Sequence, residues 1–251
     1  MANIPIALEL YSVRQDLARD TAGTLKAVAE MGYAGVEFAG HPNNEAPELR
    51  TILDDLGLVC CGWHTPIDLV QDDKIEATIE FNQILGNPNV IIPGIPQNLR
   101  ETREDWLKMA DFFNGVAEKL EVHKMATGYH NHHIEFQELD GELPWDTFFG
   151  NTNPEVIMQL DTGNAFYGGA DLASILEKYP NRAVTVHLKP YSRSDGFRPL
   201  IGDDDVPWDD VFKACETNGN TEWYIVEYES DLYEPLESVK RCLDNLKAMG
   251  K

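Results

Sequence analysis

The sequence predicts a single (β/α)8 barrel spanning residues 1–251, and three observations carry that expectation. Short β-branched or aromatic runs alternate with amphipathic helical stretches from one end to the other, the runs number eight, and no phosphate-binding glycine fingerprint follows the first of them. Eight βα units in about 250 residues are what a closed parallel barrel requires, whereas a doubly wound open sheet uses fewer strands and a Gly-rich first turn. No linker or shift in composition divides the chain, so one domain is expected.

The elements follow in order. The first strand is expected over 6–11, and the helix after it carries Leu25, Val28 and Ala29 on one face, with Asp20 or Thr21 as cap and Gly32 as stop. A strand at 35–39 leads to a helix with Leu49, Ile52, Leu53 and Leu56 on one face, which stops at Gly57. Strands at 58–64, 89–93, 125–130 and 156–161 come next; the helix between the last two, around Trp145 and Phe149, has the weakest pattern. Leu172, Ile175, Leu176 and Tyr179 mark the helix before a strand at 183–189. A long Gly-, Ser- and Asp-rich connection over 190–206 is placed to cover one mouth of the barrel. Pro207 then opens a helix bearing Trp208, Val211, Phe212 and Cys215, and a strand at 223–227 precedes a last helix with Leu236, Val239, Leu243 and Leu246 on one face.

Composition narrows the function. Forty-three Asp and Glu against 20 Lys and Arg leave a formal charge of −23 spread along the chain, which repels phosphate backbones and anionic membranes. Neither nucleic acid nor a membrane is an expected partner. No run approaches 18 apolar residues, and Ile6-Ala7-Leu8 follows the start without a basic region or a cleavage site, so a cytoplasmic location is expected. Cys60, Cys61, Cys215 and Cys242 show no CxxC spacing and read as reduced core thiols, the adjacent pair pointing to opposite faces of its strand.

In such a barrel the C-terminal strand ends surround the active site, so polar residues that terminate apolar strands are the informative ones. Strand two ends Val36-Glu37-Phe38, strand three Gly62-Trp63-His64, strand five Tyr129-His130-Asn131-His132, strand six Leu160-Asp161-Thr162, strand seven Val186-His187-Leu188-Lys189 and strand eight Val226-Glu227-Tyr228-Glu229. Strands five to eight thus each offer His, Asp or Glu at one mouth. Mixed imidazole and carboxylate donors suit one divalent metal ion, Mn, Co, Zn, Mg or Fe.

Six segments in order resemble the xylose isomerase-like sugar phosphate isomerase/epimerase family over nearly the whole chain: Leu8-Glu9-Leu10-Tyr11-Ser12-Val13-Arg14, Gly32-Tyr33-Ala34-Gly35-Val36-Glu37, Tyr129-His130-Asn131-His132, Leu160-Asp161-Thr162-Gly163-Asn164, His187-Leu188-Lys189 and Ile225-Val226-Glu227. The resemblance implies a metal held by His130, Asp161, His187 and Glu227, and a sugar or cyclitol substrate from which a proton is removed beside a carbonyl. It allows a homo-oligomer. Keto-sugar epimerases of the family carry at the strand-five position a glutamate that also moves a proton; His130 departs from this and is similar to the inosose dehydratase-like branch. The expected activity is therefore a sugar (phosphate) isomerase or epimerase. The alternatives are a dehydratase or lyase on a keto-inositol or keto-sugar, and a barrel that binds carbohydrate without turning it over.

Alternation along strand five puts His130 and His132 on one side, His130 as ligand and His132, with Glu227, as acid/base; a slip of one or two residues would exchange the two histidines. Glu37 and His64 are expected to face the substrate, the alternatives being an interior ion pair of Glu37 with Arg14 and a strand-capping His64. Lys189 suits an anionic or hydroxyl-rich substrate, although it adjoins His187 and neighbours on a strand point to opposite faces. Glu9 reads as structural, near the bottom of its strand. His41, His123 and His133 read as surface residues, and Trp63, Phe38, Phe166 and Tyr191 as packing near the mouth.

Overall fold

Each βα unit starts and stops on chemistry visible in the chain. Asp20 accepts a hydrogen bond from the Gly23 amide at 2.9 Å and so caps the helix Thr21–Met31, which ends where Gly32 takes φ 97°. Gly57, at φ 68°, ends Ala46–Leu56 in the same way. Thr102 and Asp105 form a reciprocal capping box at the head of Arg103–Glu121. Amphipathic faces then dock these helices on the sheet: Leu25 and Val28, Leu49 and Leu53, Val239, Leu243 and Leu246 are all buried.

The computed structural model of the chain describes residues 4–41 and 43–251. Its strands are β1 (Ile6–Glu9), β2 (Gly35–Ala39), β3 (Val59–His64), β4 (Asn89–Ile92), β5 (Ala126–His130), β6 (Ile157–Asp161), β7 (Thr185–Leu188) and β8 (Trp223–Val226). All pair in parallel with their sequence neighbours, and β8 returns to β1, Leu8 lying opposite Val226, so the sheet is a closed barrel. All eight expected strands are present. Several end earlier than the pattern suggested: Leu10 and Tyr11 turn into the 3-10 helix Leu10–Val13, and Lys189 and Glu227 lie one residue past β7 and β8. The helix of weak pattern, Pro144–Phe149, has six residues and buries Trp145, Phe148 and Phe149.

Two cores of unequal size result. The large one fills the space between sheet and helices and includes Leu8, Val36, Tyr129, Leu160, Val186 and Val226. Inside the barrel the apolar cluster is small, with Ala7, Cys61 and Ile225 at its centre and Trp223 packed against it. Above it the interior is polar, since residues two further along each strand share the inward face. A bulge in β3 sets the phase: Val36 faces Cys60 and Glu37 faces Gly62, so Cys61 points into the lower barrel while Gly62 and His64 occupy the inward face above it. Gly62 is required by close approach, because a Cβ there would meet the Glu37 carboxylate. Cys60 and Cys61 take opposite faces, and all four cysteines are free and buried. Among the described residues no helix is long and apolar enough to cross a membrane.

Candidate metal and active site

The upper interior collects side chains from seven strands. Glu9, Glu37, His64, His130, Gln159, Asp161, His187 and, just past β8, Glu227 are all buried. His64 and His187 stack with ring centroids 4.9 Å apart, and His130 stands edge-on to both at 4.6 Å. His130, Asp161, His187 and Glu227 each present one donor atom, the four lying within 4.8 Å of one another. This brings together the four residues expected as metal ligands.

The contacts around that set are specific. His130 Nε2 lies 3.6 Å from Asp161 Oδ2 and 3.9 Å from Glu227 Oε2. His187 Nδ1 is 2.6 Å from Glu227 Oε2, and its Nε2 is 2.5 Å from Glu37 Oε2. Lys189 Nζ donates to Glu227 Oε1 at 2.7 Å and to Glu229 Oε1 at 2.9 Å. Asp161 caps the helix Thr162–Tyr167 and accepts from the Asn164 amide and side chain, both at 2.8 Å. Asn131, the middle of the His-Asn-His run, ties β5 to β6: its Oδ1 accepts from the Asp161 amide at 2.8 Å and its Nδ2 donates to the Asp161 carbonyl at 3.2 Å.

Burial and charge divide the protonation states. Burial, with the neighbouring His187 and His64, holds the His130 pKa well below the usual imidazole range, so the ring is neutral. Burial acts on His187 in the same sense, but the Glu37 charge and hydrogen bonds to Glu227 and Glu37 outweigh it and raise the pKa to about 9. Burial would raise Glu227, yet Lys189 and His187 keep it well below the carboxylate range. Asp161 is pushed up to about 7, mainly by burial. With Nδ1 turned to the Gln159 amide oxygen at 3.0 Å, a neutral His130 would set the lone pair of Nε2 against two carboxylates, and a cation at that point would satisfy all three. The donor set of two nitrogens and two oxygens fits Zn, Mn, Co or Fe in the divalent state.

Above these groups opens a cavity of about 890 Å³ lined by His64, His130, His132, Lys189 and Glu227, by Phe197 and Arg198 of the long connection, and by Glu229 and Asp231. His132 is exposed at its rim, the ring centroid 5.5 Å from that of His130. The surrounding protein lowers the His132 pKa, leaving a neutral ring at neutral pH. The long connection covers this mouth as expected, and it is held in shape by a Ser192–Gly196 bridge.

Several expectations need correction. Glu37 does not line the cavity: it lies fully buried beneath His187, which its carboxylate holds, and Arg14 pairs instead with Glu229 at 3.6 Å. Glu9 is not at the bottom of its strand, for β1 ends there; it borders the cavity, neither oxygen has a hydrogen-bond partner among the described residues, and burial raises its pKa well above the carboxylate range. Lys189 escapes the alternation rule because β7 has ended, so the chain is free to turn it into the mouth. Trp63 and Phe38 stack at 5.1 Å and border a separate cleft with Tyr11 and Arg14. His64 lines the cavity, as expected, with its Nε2 directed to Gln159 at 2.6 Å. Gln159 itself is the residue that sequence reasoning missed, although its signal was present: it stands two positions before Asp161 in an otherwise apolar strand.

Three known proteins similar to this chain are distant from it in sequence. An inosose dehydratase of Serratia proteamaculans is 25% identical over 255 residues, covering 84% of this chain and 85% of its own length. A sugar phosphate isomerase/epimerase structure from Parabacteroides distasonis superposes with a TM-score of 0.84 at 25% identity, covering 99% of this chain and 95% of the other. A structure of L-ribulose 3-epimerase shares the fold, with a TM-score of 0.74 at 17% identity and coverage of 98% and 94%. A family model described as xylose isomerase-like TIM barrel matches residues 25–249, which takes in His130, Asp161, His187 and Glu227; the chain belongs to that family.

Proposed function

We propose that the protein is a divalent-metal-dependent dehydratase-type lyase, acting on a neutral keto-cyclitol or keto-sugar by removing a proton beside the carbonyl. The observation that carries this reading is the commitment of both His130 nitrogens. Nδ1 is bonded to Gln159 at 3.0 Å, and Nε2 points at Asp161 and Glu227, so the residue that would be a second base in a two-base epimerase has no free lone pair for substrate. His132 remains as the neutral base at the cavity rim.

His130, Asp161, His187 and Glu227 would hold the ion, which supplies a Lewis acid for the carbonyl oxygen. His132 takes the proton from the carbon beside the carbonyl. The C–H electron pair becomes the new C=C bond as the β-C–O bond breaks, and His132 returns its proton to the departing hydroxyl on the same face, releasing water. Lys189, fixed between Glu227 and Glu229, orients Glu227 and a substrate hydroxyl.

The lining favours an uncharged substrate. Asp195, Glu227, Glu229 and Asp231 border the cavity, while Lys189 is already engaged and Arg198 is the other Lys or Arg there among the described residues, which suits hydroxyl groups better than a phosphate. The inosose dehydratase relative supports the same chemistry. The isomerase or epimerase reading is favoured by the Parabacteroides structure, and the two share their first step. Incubation with inososes, 3-keto-glycosides and ketoses in D2O with Mn²⁺, followed by NMR, tests both. Loss of water from a β-hydroxy ketone is expected; inversion of a ketose centre without elimination on any substrate would favour the epimerase, and absence of any C–H exchange would refute an enzymatic role on these substrates.

A further inference from the structure

We propose that Gln159 is the positioning residue that sets the hydrogen-bonding state of both histidine ligands from beneath the metal site. The proposal rests on the metal reading above and adds to it a residue outside the ligand set. Gln159 is fully buried on β6, and its amide makes five contacts. Nε2 lies 3.0 and 3.2 Å from the two Glu37 oxygens and 3.0 Å from Thr185 Oγ1. Oε1 lies 2.6 Å from His64 Nε2 and 3.0 Å from His130 Nδ1.

The orientation of this amide is forced. Turned over, it would set a carbonyl oxygen against the Glu37 carboxylate and an NH2 group against two ring nitrogens. With the oxygen toward the rings, both must donate, so His64 carries a proton on Nε2 and His130 carries one on Nδ1. The His130 lone pair then resides on Nε2, the atom that faces Asp161 and Glu227. The NH2 group in turn holds Glu37, whose Oε2 takes the Nε2 hydrogen of His187 and directs His187 Nδ1 into the same ligand set. One side chain therefore orients a ligand on β5 directly and a ligand on β7 through Glu37. Outer-sphere partners of metal-bound imidazoles act in this way, and their loss costs about 10–100-fold in metal affinity.

The test uses full-length protein labelled with ¹⁵N-histidine, with ring tautomers read by long-range ¹H–¹⁵N NMR of the metal-free form and Mn²⁺ affinity by calorimetry. Wild type should show His130 protonated on Nδ1 and His64 on Nε2. Gln159→Met, similar in volume and unable to accept or donate these bonds, should scramble the His130 tautomer and lower Mn²⁺ affinity by about 10–100-fold with an unchanged circular dichroism spectrum. Wild-type His130 protonated on Nε2 would overturn the proposal without recourse to any variant, which settles the matter if Gln159→Met does not fold. A variant with wild-type tautomers and affinity within about twofold would overturn it as well. If wild type takes up no Mn²⁺, Co²⁺ or Zn²⁺, the metal reading fails instead, while the spectrum still decides whether Gln159 fixes the rings.

Discussion

Metal uptake should expel protons, in a number set by the two ligands whose protonation the buried cluster favours. His187 sits between Glu37 and Glu227 with a pKa raised to about 9, and Asp161 is raised to about 7, whereas His130 is already neutral and Glu227 already ionised. A ligating nitrogen or oxygen must shed its proton. At pH 8 His187 is about nine-tenths imidazolium and Asp161 about one-tenth protonated, so roughly one proton leaves per ion; at pH 6.5 the number rises to about 1.8. Affinity must then increase about 100-fold between pH 6.5 and pH 8, because the slope of log affinity against pH equals the protons released. Titration calorimetry with Mn²⁺ in buffers of different ionisation enthalpy measures both quantities. Glu37→Gln removes the carboxylate charge that acts most strongly in raising His187, so release at pH 8 should fall below one. A proton count near zero at pH 8 with a flat affinity profile would refute the argument, since it would mean that His187 is not shared between two carboxylates before the ion enters.

Four further outcomes are expected. His132→Gln should lower kcat by roughly 10²–10⁴ while metal stoichiometry, read by elemental analysis, stays at the wild-type level. His130→Glu should shift the product ratio from elimination toward inversion on one keto-sugar panel, because a carboxylate can bind the ion and accept a proton. From about pH 7 upward the metal-free protein should lose stability: the folded-state pKa of His187 lies above its ordinary one, so its contribution of about 3 kcal/mol is full below the ordinary imidazole pKa and is lost as pH rises through about 9, readable in denaturant melts with chelator, whereas His130 and His64, held below the ordinary range, are neutral over that window. Arg182 is buried and donates to the carbonyls of Phe149, Asn153 and Val156 and to Thr152 Oγ1, so Arg182→Met should destabilise the barrel by roughly 3–5 kcal/mol in the same assay.

The amino-acid sequence by itself determined the number and order of the strands, because hydrophobic period and helix stops are local properties: Asp20, Gly32 and Gly57 act within one turn of the chain. It also displayed His130, Asp161, His187 and Glu227, since a polar residue that ends an apolar strand stands out against its neighbours. What each of these residues touches was decided only by closure of the barrel. Glu37 and His187 are 150 positions apart, and nothing local to either announces the 2.5 Å contact that takes Glu37 out of the cavity and into the support of His187. Glu9 looked structural because its distance from the mouth depends on where β1 ends, and that is fixed by its pairing with β2 and β8. Gln159 is the clearest case. Its spacing from Asp161 placed it on the inward face, but its role comes from two imidazoles, a carboxylate and a hydroxyl that four other strands bring around one amide, and pairing across a closed sheet is a global property that no window of sequence contains.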